Sequence, residues 1–326
     1  MSETSTPTYR VPGSKEPRSS LSKRTLLIIG AIVLLFVVVA SLPTVTRPFR
    51  DANSARTIGA IFPNAEFFSD YPDRTDIYAI EDGKFVTRAS GPLVIASVMT
   101  EAGTFRIVRA ADGLFEIRKG DHLLLTSKFP LSGLDASPDG TYLTYAQQSE
   151  SVPPRIIDGR LIPFERLKTS EWHTIVLEVA TNAGFDMGEG VQPFFVDETH
   201  IVRTAPLGIY ASDIKTGEAT LLLEKPFAFV SLVPLVSPDR TRMGAQIDDS
   251  KNVSVFKVSL DGAEEIASIP LIDRVTSYVL GNAELYMLRT EAFGTEVWRQ
   301  PFESGASATL EGDLPEILHM TRISNT

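Results

Sequence analysis

A four-residue turn motif occurs twice in this sequence, each time between two short apolar runs. The first copy lies within LDASPDGTYLTYA, residues 134–146, and the second within LVSPDRTRMGA, residues 235–245. Proline presets the backbone for the second position of a turn, and aspartate accepts hydrogen bonds from the amides that follow it. Each copy therefore predicts a strand, a tight turn and another strand. Because internal repetition indicates a repeat architecture, this unit constrains the fold more than any local propensity.

A second signature recurs from about residue 58 onward. An aliphatic and an aromatic residue open a strand, and a glycine in a polar turn follows. This chemistry is typical of hairpins, so each copy predicts a strand, a hairpin and a further strand. The copies are Ile77-Tyr78, Leu114-Phe115, Ile209-Tyr210, Val255-Phe256 and Val297-Trp298, with a weaker one at Ile175-Val176.

The copies are spaced like the blades of a β-propeller. They open at positions 77, 114, 175, 209, 255 and 297, so four of the five intervals fall near 40 residues, the length of a four-stranded blade. Such a blade buries its faces only against neighbours, so the fold class predicted for 57–326 is an all-β, six-bladed propeller of four-stranded antiparallel blades. We expect the spare strand run 317–323 to complete the first blade, although 57–62 could supply its innermost strand.

The N-terminal residues have a different composition. Residues 1–24 are polar and basic and predict a disordered cytoplasmic tail. Residues 25–42, TLLIIGAIVLLFVVVASL, carry no charge, and as a helix they would span roughly 27 Å, enough for one transmembrane helix. The basic pair Lys23-Arg24 precedes this segment, so the positive-inside rule places the N-terminus in the cytoplasm. Residues 43–56 are expected to form a stalk.

Cleavage as a signal peptide is the alternative for 25–42, since Val38-Val39-Ala40 offers a small-residue cleavage site. We favour a retained signal-anchor because the apolar run is longer than usual for a signal peptide. The predicted location is therefore the cell membrane, with a single pass and an extracytoplasmic propeller, either periplasmic or at the cell surface.

Cysteine content and charge exclude several classes of function. The chain has no cysteine, so it has no disulfide, thiolate metal site or cysteine nucleophile. The first 50 residues hold seven basic and two acidic side chains, a charge of +5, so the remainder carries −15 of the total of −10. An acidic body repels phosphate backbones, and nucleic acid is therefore not an expected partner.

The turn motif and the blade spacing resemble the TolB-type six-bladed β-propeller, a relative of the WD-type repeats. The resemblance covers about residues 57–323. Ser137-Pro138-Asp139-Gly140 matches the repeat motif in full, whereas Ser237-Pro238-Asp239 is followed by Arg240 where glycine is usual. In that family these residues shape blades and are not catalytic, so the resemblance implies protein interaction on an extracytoplasmic scaffold and transfers no active site. TolB itself is a soluble periplasmic protein, and a membrane anchor departs from that pattern.

An insertion at about residues 147–172 lengthens the interval between the second and third copies. We interpret it as the specificity element of the loop rim through which a non-catalytic binding or scaffolding propeller engages a protein partner. The alternative is a hairpin extension that packs on its own blade. The binding contacts are expected from Arg155, Arg160, Phe164, Arg166, Trp172 and His173.

A propeller enzyme acting on glycans or another small molecule is the alternative function. It would need paired carboxylates in the channel, for which Asp135, Asp197 and Glu198 are candidates. The sequence has no Gly-x-Ser-x-Gly nucleophile elbow and no phosphate-binding glycine loop. We therefore expect no enzymatic activity and no cofactor.

The sequence also contains residues that could form metal or glycan sites, but their patterns favour structural roles. The histidines at 122, 173, 200 and 319 lack metal-ligand spacing. An aspartate recurs every third residue at Asp70, Asp73 and Asp76, and the three could converge on Ca²⁺. The segment lacks the glycine of a calcium loop, so we interpret it as a solvated acidic turn. The same interpretation applies to Asp248-Asp249-Ser250. Asn252-Val253-Ser254 fits the glycan acceptor pattern at a strand edge and is discounted.

Overall fold

Short apolar runs separated by turn residues form six four-stranded antiparallel sheets, the blades of a β-propeller. The computed structural model describes residues 54–71, 74–149, 166–231, 235–247, 251–291, 294–303, 308–314 and 321–323, all within the unit Asp51–Thr326. No helix in these ranges is long and apolar enough to cross a membrane. The predicted tail and transmembrane segment lie outside them.

Each blade runs from an inner strand at the channel to an outer strand at the periphery. Blade 1 contains β26 (Thr321–Ile323), β1 (Phe67–Asp70), β2 (Thr75–Glu81) and β3 (Lys84–Gly91), and blade 2 contains β4 (Leu93–Thr100), β5 (Gly103–Arg109), β6 (Phe115–Lys119) and β7 (His122–Ser127). Blade 3 contains β8 (Leu131–Ala136), β9 (Tyr142–Gln148), β11 (Trp172–Glu178) and β12 (Ala183–Glu189), and blade 4 contains β13 (Val191–Phe195), β14 (His200–Ala205), β15 (Gly208–Asp213) and β16 (Ala219–Glu224). Blade 5 contains β18 (Leu235–Val236), β19 (Arg242–Gln246), β20 (Asn252–Ser259) and β21 (Gly262–Pro270), and blade 6 contains β22 (Val275–Leu280), β23 (Glu284–Glu291), β24 (Gly294–Pro301) and β25 (Thr309–Leu314). A further two-stranded sheet pairs β10 (Arg166–Lys168) with β17 (Phe229–Ser231).

Blade 1 closes the ring with strands from both ends of the propeller sequence. β26 pairs antiparallel with β1, so that Phe67 lies opposite Ile323 and Ser69 opposite Thr321. The predicted closure by the C-terminal strand is confirmed, and that strand takes the innermost position. The alternative for residues 57–62 is wrong, because residues 54–61 are helical.

The helix packs at the seam between blades 6 and 1. Its buried residues, with the turn that follows, are spaced along one helical face at Ala55, Ile58, Phe62 and Ala65. Ile58, Phe62 and Ala65 join a core cluster with residues of both blades, and the Phe62 ring lies 4.9 Å from that of Tyr286 in an edge-to-face contact. The helix therefore supplies apolar contact where the ring closes.

Every other pair of neighbouring blades shares its own apolar cluster. Blades 2 and 3 enclose one large cluster that includes Phe105 and Leu143, and blades 4 and 5 enclose another that includes Phe194 and Phe256. Smaller clusters join blades 1 and 2, 3 and 4, and 5 and 6. The core is thus a ring of six interfaces, as expected when sheets bury their faces only against neighbours.

The outer strand of each blade carries a β-bulge against the strand beside it. In blade 1, Ile77 lies opposite Ala89 and Tyr78 opposite Thr87, so Arg88 is the extra residue. Register shifts between the third and fourth strands recur in the other five blades. In four blades the shift falls at the aliphatic–aromatic pair of the sequence signature, namely Ile77-Tyr78, Ile209-Tyr210, Val255-Phe256 and Val297-Trp298.

The two Ser-Pro-Asp turns have the same geometry, each joining the first and second strands of a blade. The Ser137 hydroxyl donates to Asp139 at 2.6 Å and accepts from the Tyr142 amide at 2.9 Å, and Ser237 makes the equivalent contacts in blade 5. Hydrogen bonds from the Ser137 and Thr141 hydroxyls lower the pKa of the Asp139 carboxyl below its ordinary value. The carboxylate form therefore holds the turn together, as the repeat motif predicts.

Candidate functional site

The insertion of blade 3 rises from a stem that is fixed at both ends. At its start, the Ser149 amide donates to the Glu171 carbonyl at 2.8 Å. At its end, β10 pairs antiparallel with β17, which leads into blade 5. The insertion is therefore attached to the segment that leads into blade 5 as well as to its own blade. A hairpin extension that packs on its own blade would not need this second attachment.

Thr169 fixes the stem from within. It is 1% exposed, its amide donates to the Ala228 carbonyl at 3.1 Å, and its hydroxyl donates to the Phe227 carbonyl at 2.5 Å. Phe227 is fully buried in the cluster between blades 4 and 5. The stem is thus joined to the buried cluster between blades 4 and 5.

The predicted binding residues divide into three groups. Arg155, Arg160 and Phe164 lie outside the described residues, and Arg166 begins β10, where only its backbone is described. Trp172 is 4% exposed and packs in the core, so its indole is not available at a rim. His173 is partly exposed, and its Nδ1 lies 2.9 Å from the Asp186 carboxylate of the outer strand.

A buried arginine lies beside this pair. Arg203, on β14, is 6% exposed, and its Nε donates to the Glu189 carbonyl at 3.1 Å. Its Nη1 donates to the Ser212 hydroxyl, and the guanidinium lies 5.4 Å from the centre of the Tyr210 ring. Burial lowers the pKa of the Arg203 guanidinium below the ordinary arginine value. This group joins the outer edge of blade 3 to blade 4, and no pattern in the sequence predicts it.

A second arginine bridges three blades at one end of the channel. Arg240 has a φ of +57°, the left-handed conformation that glycine takes at the equivalent Gly140. Its guanidinium donates to both Asp135 oxygens, at 2.6 and 3.2 Å, and to the Phe195 carbonyl at 2.8 Å. The Phe195 amide donates to the same carboxylate at 2.8 Å. Arginine in place of the glycine of the repeat motif therefore links the turn of blade 5 to the inner strands of blades 3 and 4.

We expect the Arg240–Asp135 bridge to contribute about 1–3 kcal/mol of coupling to stability, because both side chains are partly buried at 27% and 13% exposure. A double-mutant cycle with Arg240→Gln and Asp135→Asn, followed by urea unfolding, measures it. The matched control is the Arg242–Asp239 pair of the same turn, whose carboxylate is 35% exposed and which should couple by no more than about 0.5 kcal/mol. Equal coupling in the two cycles would contradict a bridging role.

The bridge also bears on the carboxylates considered for catalysis. Asp135 accepts hydrogen bonds from the Phe195 amide of blade 4 and from Arg240 of blade 5, so both of its oxygens make contacts within the ring. Asp197 caps the turn between β13 and β14 by accepting from the Thr199 and His200 amides, each at 2.7 Å. Its neighbour Glu198 lies in the same turn.

The other candidate ligands do not assemble a metal centre in the part of the chain that is described. Asp70 accepts from the Thr75 hydroxyl at 2.8 Å and Asp76 from the Ser90 hydroxyl at 2.6 Å, so these carboxylates serve blade 1. Asp73, Asp248, Asp249 and His319 lie outside the described ranges. Asn252 lies on β20, and its side-chain amide donates to the Ser268 hydroxyl at 3.1 Å.

Taken together, the fold and the site define a six-bladed β-propeller with a stem-supported insertion on one blade. The structure is similar to TolB from Acinetobacter baumannii, with a TM-score of 0.52, 12% identity, and coverage of 80% of this chain and 66% of that chain. It is also similar to an oligogalacturonate lyase from Vibrio parahaemolyticus, with a TM-score of 0.47, 10% identity, and 72% and 70% coverage. A third similar structure is a putative TolB from Agrobacterium tumefaciens, with a TM-score of 0.45, 13% identity, and 77% and 88% coverage.

These similarities concern the fold. No protein-family model matches the sequence, and no curated protein matches it. The chain spans about two thirds of the length of the Acinetobacter TolB structure. The TolB-type propeller predicted from the turn motif is confirmed as a fold.

Proposed function

We propose that this chain is a membrane-anchored, non-catalytic binding propeller that engages a protein partner through the insertion of blade 3. The observation that carries the proposal is the stem: β10 pairs with β17, and Thr169 fixes the stem to the buried core of the neighbouring blades. A rigid ring that presents one anchored, elaborated loop is suited to recognition.

The sequence of the supported segment fits a protein partner. Residues 150–165 combine the apolar side chains Ile156, Ile157, Leu161 and Phe164 with arginines, and large apolar groups and arginine carry much of the energy of protein interfaces. The similarity to TolB bears on the fold alone.

Replacing residues 150–165 with a short Gly-Ser linker tests this proposal. The change leaves Ser149 and the stem Arg166–Glu171 in place, so the propeller should keep its melting temperature while its partner is lost. In-cell crosslinking, affinity purification and mass spectrometry identify the partner, and binding is then repeated with the purified partner. The control variant carries the same 16 residues in scrambled order and should also lose binding. Undiminished binding by the linker variant, or no specific partner of the unaltered chain, would contradict the proposal.

We also propose that residues 25–42 are a retained anchor with the propeller outside the cytoplasm. Because the chain has no cysteine, one introduced thiol reports its own location. Lys215→Cys, in an exposed turn of blade 4, should react with a membrane-impermeant maleimide from outside the cytoplasmic membrane, and Ser14→Cys only after lysis. The reverse labelling pattern would invert the orientation, and a labelled product lacking residues 1–40 would show cleavage.

A further inference from the structure

Blade 1 contains a cavity that the proposed function does not use. It has a volume of about 470 Å³ and lies between the helical residues 54–61, with the turn after them, and the hairpin joining β2 to β3. This volume is within the range of small-molecule sites. The insertion stem belongs to blades 3 and 5, so the cavity is a separate feature.

One part of the cavity wall is apolar and buried. Ala55 and Ala65 are each 2% exposed and Phe62 is 9% exposed, and Ile80 of β2 completes this surface. Two glycines keep the space open. A Cβ at Gly59 would lie 3.1 Å from Ile80 Cγ2, and one at Gly83, where φ is +70°, would lie 2.8 Å from Arg56 Cγ.

The charged part of the wall is entirely cationic. The lining includes Arg56 and Arg88 but no aspartate or glutamate. Arg88 pairs with Glu81 across an exposed surface, where both side chains are more than 40% accessible and the attraction is weak. Among the described residues Arg56 has no ion-pair partner. In a body with a charge of −15, two arginines without a lining carboxylate favour an anion at this position.

We propose that this cavity binds a small organic anion, a carboxylate or a phosphate monoester attached to an apolar body. Arg56 and Arg88 hold the anionic group, since guanidinium forks match carboxylate and phosphate oxygens in charge and geometry. Phe62, Ala65 and Ile80 contact the apolar part. The Asn64 side chain, also in the lining, adds an uncharged donor.

Calorimetric titration of the full chain in a neutral maltoside detergent tests this proposal. The probes are phenylacetate and phenyl phosphate, which are water-soluble and carry the two anionic groups. Phenylacetamide keeps the shape without the charge, and inorganic phosphate keeps a charge without the ring. We expect at least one aromatic anion to bind. The affinities for phenylacetamide and for inorganic phosphate should be at least about tenfold lower. The preferred anion tells whether the natural ligand carries a carboxylate or a phosphate.

Two substitutions locate the binding. Arg56→Gln and Arg88→Gln should each lower the affinity for the preferred anion about tenfold, because each removes one charge-assisted hydrogen bond. Both side chains are exposed, so the propeller should keep its melting temperature. Lys215→Gln, an exposed cation of blade 4, is the matched control and should leave the affinity unchanged. Binding of the amide as tightly as the acid, unchanged affinity in Arg56→Gln, or no heat from either anion at millimolar concentration would each overturn the proposal.

Discussion

A chain shortened to end at residue 320 should melt about 10 °C below a chain that ends at residue 323. The difference of three residues removes β26, which pairs with β1 and contacts β22 and β23 of blade 6. Without it, the inner edge of β1 loses its ladder partner and the ring loses its closure. We expect this to cost about 3–5 kcal/mol, and at this domain size 1 kcal/mol shifts the melting temperature by about 2–4 °C.

Three truncated chains, compared by melting temperature, test this prediction. The chain ending at 323 removes only residues beyond β26 and should melt like the full chain. The chain ending at 320 should show the drop, and the chain ending at 314 should add little to it. Thermal unfolding followed by far-ultraviolet circular dichroism gives all three values. Equal melting temperatures for the chains ending at 323 and 320 would show that ring closure does not depend on this strand.

Arg203→Ala should lower the free energy of unfolding by about 3–5 kcal/mol. The substitution leaves a space in the wall between blades 3 and 4, and it deprives the Glu189 carbonyl and the Ser212 hydroxyl of a charged donor. Arg203→Lys should recover less than half of the loss, because one ammonium on a flexible stem cannot make both contacts and also lie over the Tyr210 ring.

The control for Arg203 is an arginine with a more exposed side chain. Arg118 pairs with Glu116 on blade 2 and is 36% exposed, so Arg118→Ala should cost less than about 1 kcal/mol. Urea unfolding of the full chain measures both variants. If Arg203→Ala is no more costly than Arg118→Ala, the buried arginine does not tie the blades together.

The blades could be predicted from the sequence because their signals are local. Turn chemistry at Ser137 to Gly140 fixes a corner whatever surrounds it, and the aliphatic–aromatic pairs mark the third strand of five of the six blades. The short helix was missed because residues 57–62 also fit a strand run. Its signal is the spacing of Ala55, Ile58, Phe62 and Ala65, which suits one helical face and not an alternating strand.

The side chains of the candidate site were harder to predict. Trp172 and His173 are adjacent, so on a strand they point to opposite faces, and burial of the indole leaves only the imidazole outside. Arg203 lies in a strand that is buried on both faces. In such a strand, apolar and polar residues do not alternate, so the sequence pattern does not show that a buried position holds a charged residue. The partners Arg240 and Asp135 are 105 residues apart, and only the closed ring brings them together.

The bulge in every outer strand limits how copies of this protein can associate. An even, straight edge would let one propeller extend its sheet into another by continuous backbone pairing. One surplus residue per edge, such as Arg88, breaks that regularity around the whole circumference. The bulges therefore disfavour continuous pairing between the outer strands of neighbouring molecules.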